Sequence, residues 1–187
     1  MRRQTVERAI SGDHDAFTEL ARASADRQFA IATLILRDRD RARDAVQDAL
    51  VSAWRDIRAL RDPDAWGAWL HRLTIRACYR LARKERRRSL VELHVMPDPA
   101  PHPAADFSSS VVERDRMERE LGRLSLDQRA VMVLHFYADL TLEQAADILD
   151  IPVGTAKSRL HYGLRALRTS MRDDPAAQTR QVQERTA

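Results

Sequence analysis

A short basic stretch near the C-terminal end of the chain has the residue types that recognise nucleic acid. It follows a predicted turn containing Pro152 and Gly154, and it opens on hydroxyl and cationic side chains. Such groups at the positively polarised start of a helix suit phosphate contacts, and one or two of them can reach base edges. The side chains concerned are Thr155, Lys157, Ser158 and Arg159.

A row of arginines in the first half of the chain offers similar chemistry. Residues 72–88 contain eight Arg or Lys side chains and one Glu. Because each residue turns a helix by about 100°, spacings of three and four residues place these arginines on one helical face. Arg also forms bidentate hydrogen bonds with phosphate and guanine. This arginine row consists of Arg72, Arg76, Arg80, Arg83 and Arg87.

Other kinds of site lack the residues that they require. The GTAKS segment has no adjacent Gly-Lys pair of the phosphate-binding P-loop type, and the six histidines are not spaced as metal ligands. The single Cys78 lies among apolar residues, which predicts a buried structural thiol. We therefore predict no metal, no cofactor and no enzymatic activity.

The first half is predicted to hold three helical regions that carry the arginine row. The chain has 44% hydrophobic but only 5% aromatic residues, which favours helices packed through Leu, Ala, Val and Ile. One or two helices are predicted between Asp13 and Leu36, where apolar residues recur at helical spacing. An apolar stripe over 42–57, with Trp54 in it, predicts a second helical region, and a third runs from about 65 to 86.

The second half is predicted to contain a helix-turn-helix. Ser125 and Thr141 each precede a glutamine by three residues, the pattern of a capping box at a helix start. A short helical segment, a tight turn and a longer segment then match the helix-turn-helix, whose second helix enters the major groove of DNA. The predicted helices span 111–124, 126–137, 142–149 and 153–168.

A proline-rich stretch separates the two halves. Four of the seven prolines fall between residues 93 and 110, which predicts a flexible linker. We predict an all-α protein with domains over 1–90 and 111–170, a linker over 91–110 and a disordered tail over 171–187. The sequence has no apolar run long enough for a membrane span and no signal-peptide pattern at its start, so a cytoplasmic protein is expected.

Four segments in this order resemble the extracytoplasmic-function group of bacterial RNA polymerase sigma factors. They are DAVQDALVSAW, AWLHRLTIRACYRLAR, LDQRAVMVLHFYADLTLEQAADIL and IPVGTAKSRL. The resemblance covers residues 13–168 apart from the linker. It implies a promoter-specificity subunit built from two helical domains, called regions 2 and 4, that carries no catalytic activity of its own.

The resemblance also implies partners. In the family, the helix that matches DAVQDALVSAW binds the clamp helices of the largest subunit of core RNA polymerase, and the polymerase flap is a further contact. This assigns core binding to the exposed side of that helix. Sigma factors of this group are commonly held inactive by an anti-sigma factor. The residues assigned to core binding are Asp44, Gln47 and Asp48.

Promoter contacts follow from the same resemblance. The loop over 58–64 corresponds to the part that captures an unstacked base of the minus 10 element, and the arginine row would follow the promoter backbone or the melted strand. The second helix of the helix-turn-helix would read the minus 35 element. The predicted minus 10 residues are Arg58, Asp62, Arg72, Arg76 and Arg80. The predicted minus 35 residues are Thr155, Lys157, Ser158, Arg159 and Arg165.

Three positions depart from the pattern of the group. Arg76 stands where the family usually has Asn, and Tyr162 and Leu164 replace the usual basic pair of the recognition helix. From the residues alone two alternatives stay open. One is an ordinary helical hairpin with a solvated basic face, and the other is a stand-alone helix-turn-helix regulator that binds duplex DNA. Trp66 and Trp69 could stack on bases, but their spacing favours burial.

Overall fold

The computed structural model describes residues 2–92 and 120–172, and these residues form two compact units made of helices and connecting turns. The described residues contain no strand, which confirms the all-α prediction. The predicted linker and tail lie, apart from a few residues at their edges, outside the described residues, as do residues 111–119 of one predicted helix. The first unit contains α1 (Arg2–Ile10), α2 (His14–Leu36), α3 (Arg39–Asp56) and α4 (Trp66–Glu92). The second contains α5 (Leu126–Met132), α6 (Leu142–Leu149) and α7 (Val153–Arg172).

Aspartates fix where the long helices of the first unit begin. The Asp13 carboxylate accepts hydrogen bonds from the amides of Asp15 and Ala16, each at 3.0 Å, and so caps α2. The bond from Ala16, together with the Arg8 guanidinium, lowers the pKa of Asp13. Asp38 caps α3 in the same way. The region between 13 and 36, which the sequence left as one or two helices, is a single helix.

The core of the first unit lies between α1, α2, α3 and the start of α4. Trp66 is only 6% exposed and its indole N–H lies 3.4 Å from the hydroxyl of Ser24, so the predicted burial of this side chain is confirmed. Trp69 is half-buried against the same cluster. α1 has no counterpart among the predicted helices, although Val6 and Ala9 are fully buried in this core.

A buried polar network joins α2 to α4. The Thr74 hydroxyl donates to the side-chain oxygen of Gln28 at 3.0 Å, and the His71 Nδ1 atom lies 3.1 Å from the same oxygen. Burial lowers the pKa of His71 to about 4, so the ring is neutral at neutral pH and can donate through Nδ1. Because each polar atom requires its partner in this dry interior, the network fixes the rotation of α4 about its axis.

The buried side of α4 is broader than the predicted apolar stripe. Leu73 and Leu81 are only half-buried, whereas Thr74, Ile75 and Cys78 are fully enclosed. Burial raises the pKa of the Cys78 thiol to about 12, and the prediction of a structural thiol is confirmed. The arginine row consequently lies on the side of α4 that faces away from the core.

Capping boxes start two helices of the second unit, as predicted. The Ser125 amide donates to the Gln128 side chain at 3.0 Å and the Gln128 amide donates to the Ser125 hydroxyl at 3.2 Å. Thr141 and Gln144 form the same reciprocal pair at 2.9 and 3.2 Å. α5 continues into a π-helical segment, Val133–Tyr137, and the turn before α7 contains Pro152.

Gly163 allows α7 to pack closely on α5. A Cβ atom at this position would lie 2.8 Å from the Met132 sulfur, closer than side-chain atoms normally approach. We expect the free energy of unfolding of Gly163→Ala to be about 1 kcal/mol below that of Gly154→Ala, because the buried Met132 side chain must shift to admit the new Cβ atom. Calorimetric unfolding measures this change.

Gly154→Ala is the matched control for this prediction. Gly154 lies on the same helix as Gly163, and a Cβ atom at Gly154 meets nothing within 4 Å. That variant should be unchanged or more stable by up to about 1 kcal/mol. Equal stabilisation of both variants would show that Met132 does not limit the approach of the two helices.

Candidate nucleic-acid interface

One side of α7 is buried against its own unit and the other side is open. Ala156 is fully enclosed and Gly163 lies on the same buried side. The exposed arc includes Lys157, Ser158 and Arg165, three of the five residues predicted to read the minus 35 element. The Ser158 hydroxyl donates to the Gly154 carbonyl at 2.9 Å, so its own lone pairs face outward as acceptors.

Arg159 lies at the edge of this arc and is held by an acid of a neighbouring helix. Its Nη2 atom is 2.9 Å from the Asp127 carboxylate near the start of α5, and the Arg159 side chain is only 26% exposed. Thr155 is half-buried. The guanidinium of Arg159 is therefore fixed by an ion pair, and a base contact has to use its remaining N–H groups.

Two further side chains share the exposed arc with Lys157 and Ser158. Tyr162 is 58% exposed, and its ring meets the ring of His161 edge to face at 5.5 Å and 77°. Among the sequence-based predictions, Tyr162 is only a departure from the family pattern, and His161 has no predicted role. Their place on this surface could have been predicted from the sequence, because helical spacing puts positions 157, 158, 161, 162 and 165 on one face of α7.

The predicted minus 10 arginines lie on the outer side of α4. Arg76 and Arg80 are exposed and Arg72 is half-buried. The Arg80 guanidinium lies 3.2 Å from the Asp48 carboxylate of α3, so a residue assigned to DNA touches a residue assigned to core polymerase. Both partners are more than half exposed, and such pairs contribute only about 0–1 kcal/mol. The pair can therefore open at low cost.

The loop between α3 and α4 contains two short 3-10 turns, Ile57–Ala59 and Pro63–Ala65. Asp62 caps the second turn by accepting the Asp64 amide at 3.0 Å, and the Arg3 side chain of α1 binds the Asp64 carboxylate. Arg58 is exposed on the first turn. These contacts tie the second turn to α1 and shape the loop that carries the two predicted minus 10 residues, Arg58 and Asp62.

The polar residues predicted to bind core polymerase are all exposed on α3, and an apolar surface continues from them. Asp44, Gln47 and Asp48 share a face with Val51, which is 44% exposed, and Trp54, which is 37% exposed. Trp54, which helical spacing placed in the apolar stripe of α3, lies at the rim of the core, and its ring packs edge to face against a phenylalanine of α2 at 4.9 Å. Exposed apolar side chains next to polar ones are typical of protein-binding surfaces.

A groove of about 620 Å³ opens beside this face of α3. Its walls include Phe17 and Phe29 of α2 and Leu50 of α3, with Arg43 at the edge. The predicted apolar stripe did not include Val51, and helical spacing gave no indication that Trp54 would be exposed beside the polar face.

The fold and these surfaces define a helix-turn-helix protein with a second helical unit that exposes an arginine row. Residues 20–88 match the family described as Sigma-70 region 2, and residues 121–169 match Sigma-70, region 4. The chain belongs to the sigma-70 family of RNA polymerase sigma factors, the promoter-specificity subunits of the polymerase. Its relatives narrow this to the extracytoplasmic-function (ECF) group.

The ECF RNA polymerase sigma factor SigM of Mycobacterium tuberculosis is 31% identical over 150 residues, covering 80% of this chain and 74% of SigM. The ECF RNA polymerase sigma factor SigW of Bacillus subtilis is 25% identical over 190 residues, covering 92% of this chain and 98% of SigW. Both relatives are thus similar along most of their length, on both sides of the predicted linker.

Two of the solved structures that are similar to this chain are complexes of two proteins. One is the sigma factor RpoE of Bartonella quintana in complex with the anti-sigma factor NepR, with a TM-score of 0.68, 27% identity, and coverage of 84% of this chain and 98% of RpoE. The other is CnrH in complex with the cytosolic domain of CnrY, with a TM-score of 0.69, 23% identity, and coverage of 92% of this chain and 98% of CnrH. This similarity shows that the two proteins share a fold. None of the helices in residues 2–92 and 120–172 has the length and apolar character of a membrane span.

Proposed function

We propose that the two units divide promoter recognition between them. The first unit, within residues 1–90, binds core polymerase through α3 and the minus 10 element through α4 and the loop before it. The second unit, within residues 111–170, reads the minus 35 element as duplex through α7. The observation that supports this division is that each unit exposes cations on the side of a helix opposite to its own core.

Core binding is proposed for the face of α3 that carries Asp44, Gln47 and Asp48, extended by Val51 and Trp54. Carboxylates and an amide give this face specific polar contacts. The two apolar side chains supply surface whose burial against a partner makes binding more favourable. The clamp helices of the largest polymerase subunit are the proposed partner here, and the flap is the proposed partner of the second unit.

The minus 10 contacts are proposed for Arg58, Asp62, Arg72, Arg76 and Arg80. Arg76 and Arg80 present guanidinium groups to solvent along α4, which suits the closely spaced phosphates of DNA. Asp62 already caps a turn, so its contribution is to shape the loop that receives an unstacked base. The family usually has Asn at the position of Arg76, and the extra cation strengthens the electrostatic, sequence-independent part of binding.

The minus 35 contacts are proposed for Thr155, Lys157, Ser158, Arg159 and Arg165. Lys157, Ser158 and Arg165 point away from the unit, while Asp127 fixes Arg159 at the edge of the same surface. Phosphate contacts fix the register of the helix on DNA, and contacts to base edges provide sequence preference.

An anti-sigma factor is the proposed regulatory partner. RpoE and CnrH, which this chain resembles in fold, were each solved with a protein bound, an anti-sigma factor in the case of RpoE. The exposed apolar side chains beside the core-binding face offer such a partner a surface. We also propose that the chain acts in the cytoplasm, where the polymerase transcribes, and that it contributes recognition and no catalytic step.

The test is initiation with purified components. The chain mixed with core polymerase should direct transcripts from defined start sites and protect both promoter elements, while the chain alone should give weak protection with little sequence preference. Protection by the chain alone that equals protection with core polymerase would instead identify a stand-alone helix-turn-helix regulator.

A further inference from the structure

An exposed aromatic pair lies on the recognition helix at a position where the family usually has a cation. Tyr162 is 58% exposed and contacts His161 edge to face at 5.5 Å. The next residue, Gly163, lies on the buried side of α7 and is packed on α5. Tyr162 consequently adds little to the core of its unit, and its large apolar surface faces the same way as Lys157 and Ser158.

Chemistry limits what such a side chain can read in the major groove. Arg and Lys select guanine, Asn and Gln select adenine, carboxylates select cytosine, and apolar side chains contact the methyl group of thymine. A tyrosine ring has no charge, and its hydroxyl lies at the far end, where Tyr commonly contacts phosphate. The ring of Tyr162 therefore matches the thymine methyl group, and its single hydroxyl cannot make the bidentate contact by which Arg selects guanine.

The neighbouring side chains support a contact with DNA at this point. Lys157 and Ser158 lie one turn before Tyr162 on the same exposed arc, and Arg165 lies one turn after it. Cations on both sides bring the helix close to the phosphates, so the ring between them faces the groove. The ring of His161 restricts the directions that the Tyr162 side chain can take.

We infer that Tyr162 is a specificity-determining residue that selects an A·T pair within the minus 35 element by packing its ring against the thymine methyl group. The inference rests on the proposed role of α7. It means that this chain prefers thymine at a base pair where a sigma factor with arginine at the same position selects guanine.

The experiment measures initiation by holoenzyme, formed from core polymerase and the full chain, on promoters randomised across the minus 35 element. The original chain should favour thymine at one position by about fourfold, the factor expected for burying one methyl group. Tyr162→Ala should remove the preference at that position alone, Tyr162→Phe should keep it, and Tyr162→Arg should shift it toward guanine.

Deoxyuridine in place of the selected thymine tests the methyl group directly. It should reduce initiation by the original chain about fourfold and have no effect on Tyr162→Ala. Phe136→Ala is the matched control, since Phe136 is a 61% exposed aromatic of the same unit outside α7, and it should leave the base preference unchanged.

Each contrary outcome has a distinct meaning. Absence of any upstream preference in the original holoenzyme would overturn the proposed function of α7 itself. An upstream preference that Tyr162→Ala leaves intact, or weaker binding of all sequences alike, would overturn this inference and leave the proposed function standing. Loss of the preference in Tyr162→Phe would assign the reading to the hydroxyl and refute the methyl contact.

Discussion

Asp48→Arg is expected to reduce the affinity of the chain for core polymerase by thirtyfold or more while leaving the helical fold intact. Removing one partner of a charged contact that becomes buried in an interface costs about 2–5 kcal/mol, and reversal of the charge adds repulsion. The Asp48 side chain is 52% exposed and is paired with the exposed Arg80. Competition with a labelled copy of the chain for core polymerase measures the loss.

The ion pair with Arg80 supplies the control for this experiment. In the double variant Asp48→Arg, Arg80→Asp, opposite charges again face each other, so the contact between α3 and α4 is restored with reversed polarity. The double variant should fold like the original chain and still fail to bind core polymerase. Recovery of binding would show that the single substitution acted through the fold of the unit.

A second acid on the same helix tests whether the position matters. Asp56 is exposed at the end of α3, outside the face formed by Asp44, Gln47 and Asp48. Asp56→Arg changes the net charge by the same amount and should leave competition for core polymerase unchanged. Normal competition by Asp48→Arg itself would refute the assignment of this face.

Local patterns predicted the helices well, because the interactions that start a helix lie within a few residues. Asp13 and the two capping boxes illustrate this, since each partner is two or three positions from the capping residue. α1 was missed because Val6, Ala9 and Ile10 form too short an apolar pattern to predict a helix on their own. Its stability comes from packing on the rest of the unit.

Contacts between residues far apart in the chain could not be predicted. Gln28 meets His71 and Thr74 across more than forty residues, and nothing near Gln28 indicates that its amide is buried. The Asp48–Arg80 pair also joins two helices, and its residues had been assigned to different partners. Periodicity gives the face on which a side chain lies, whereas partners depend on how the helices pack.

Periodicity also has a limit at the border between core and surface. Trp54 has the helical spacing of the predicted apolar stripe, yet this residue is 37% exposed. A large side chain at the edge of a stripe can pack one side of its ring and expose the other.

Arg159→Ala is expected to reduce discrimination at one base pair of the minus 35 element by about 1–3 kcal/mol, a factor of about 5 to 150, if its guanidinium makes a bidentate contact. The ion pair with Asp127 at 2.9 Å orients that guanidinium before DNA binds. Asp127→Ala should therefore weaken the preference at the same base pair without removing it. Initiation by holoenzyme on promoters randomised at each upstream position measures both effects.

Arg168 provides the matched cation, because it is exposed on the same helix and lies outside the predicted reading set. Arg168→Ala should weaken the binding of all DNA sequences by the same small factor or leave it unchanged. Loss of a phosphate contact should reduce the slope of log K against log salt concentration by about one. An unchanged upstream preference in Arg159→Ala, together with lower stability of the chain, would make the Asp127–Arg159 pair a purely structural contact. Because Arg159 and Tyr162 lie nearly one turn apart on α7, their substitutions should affect different base pairs.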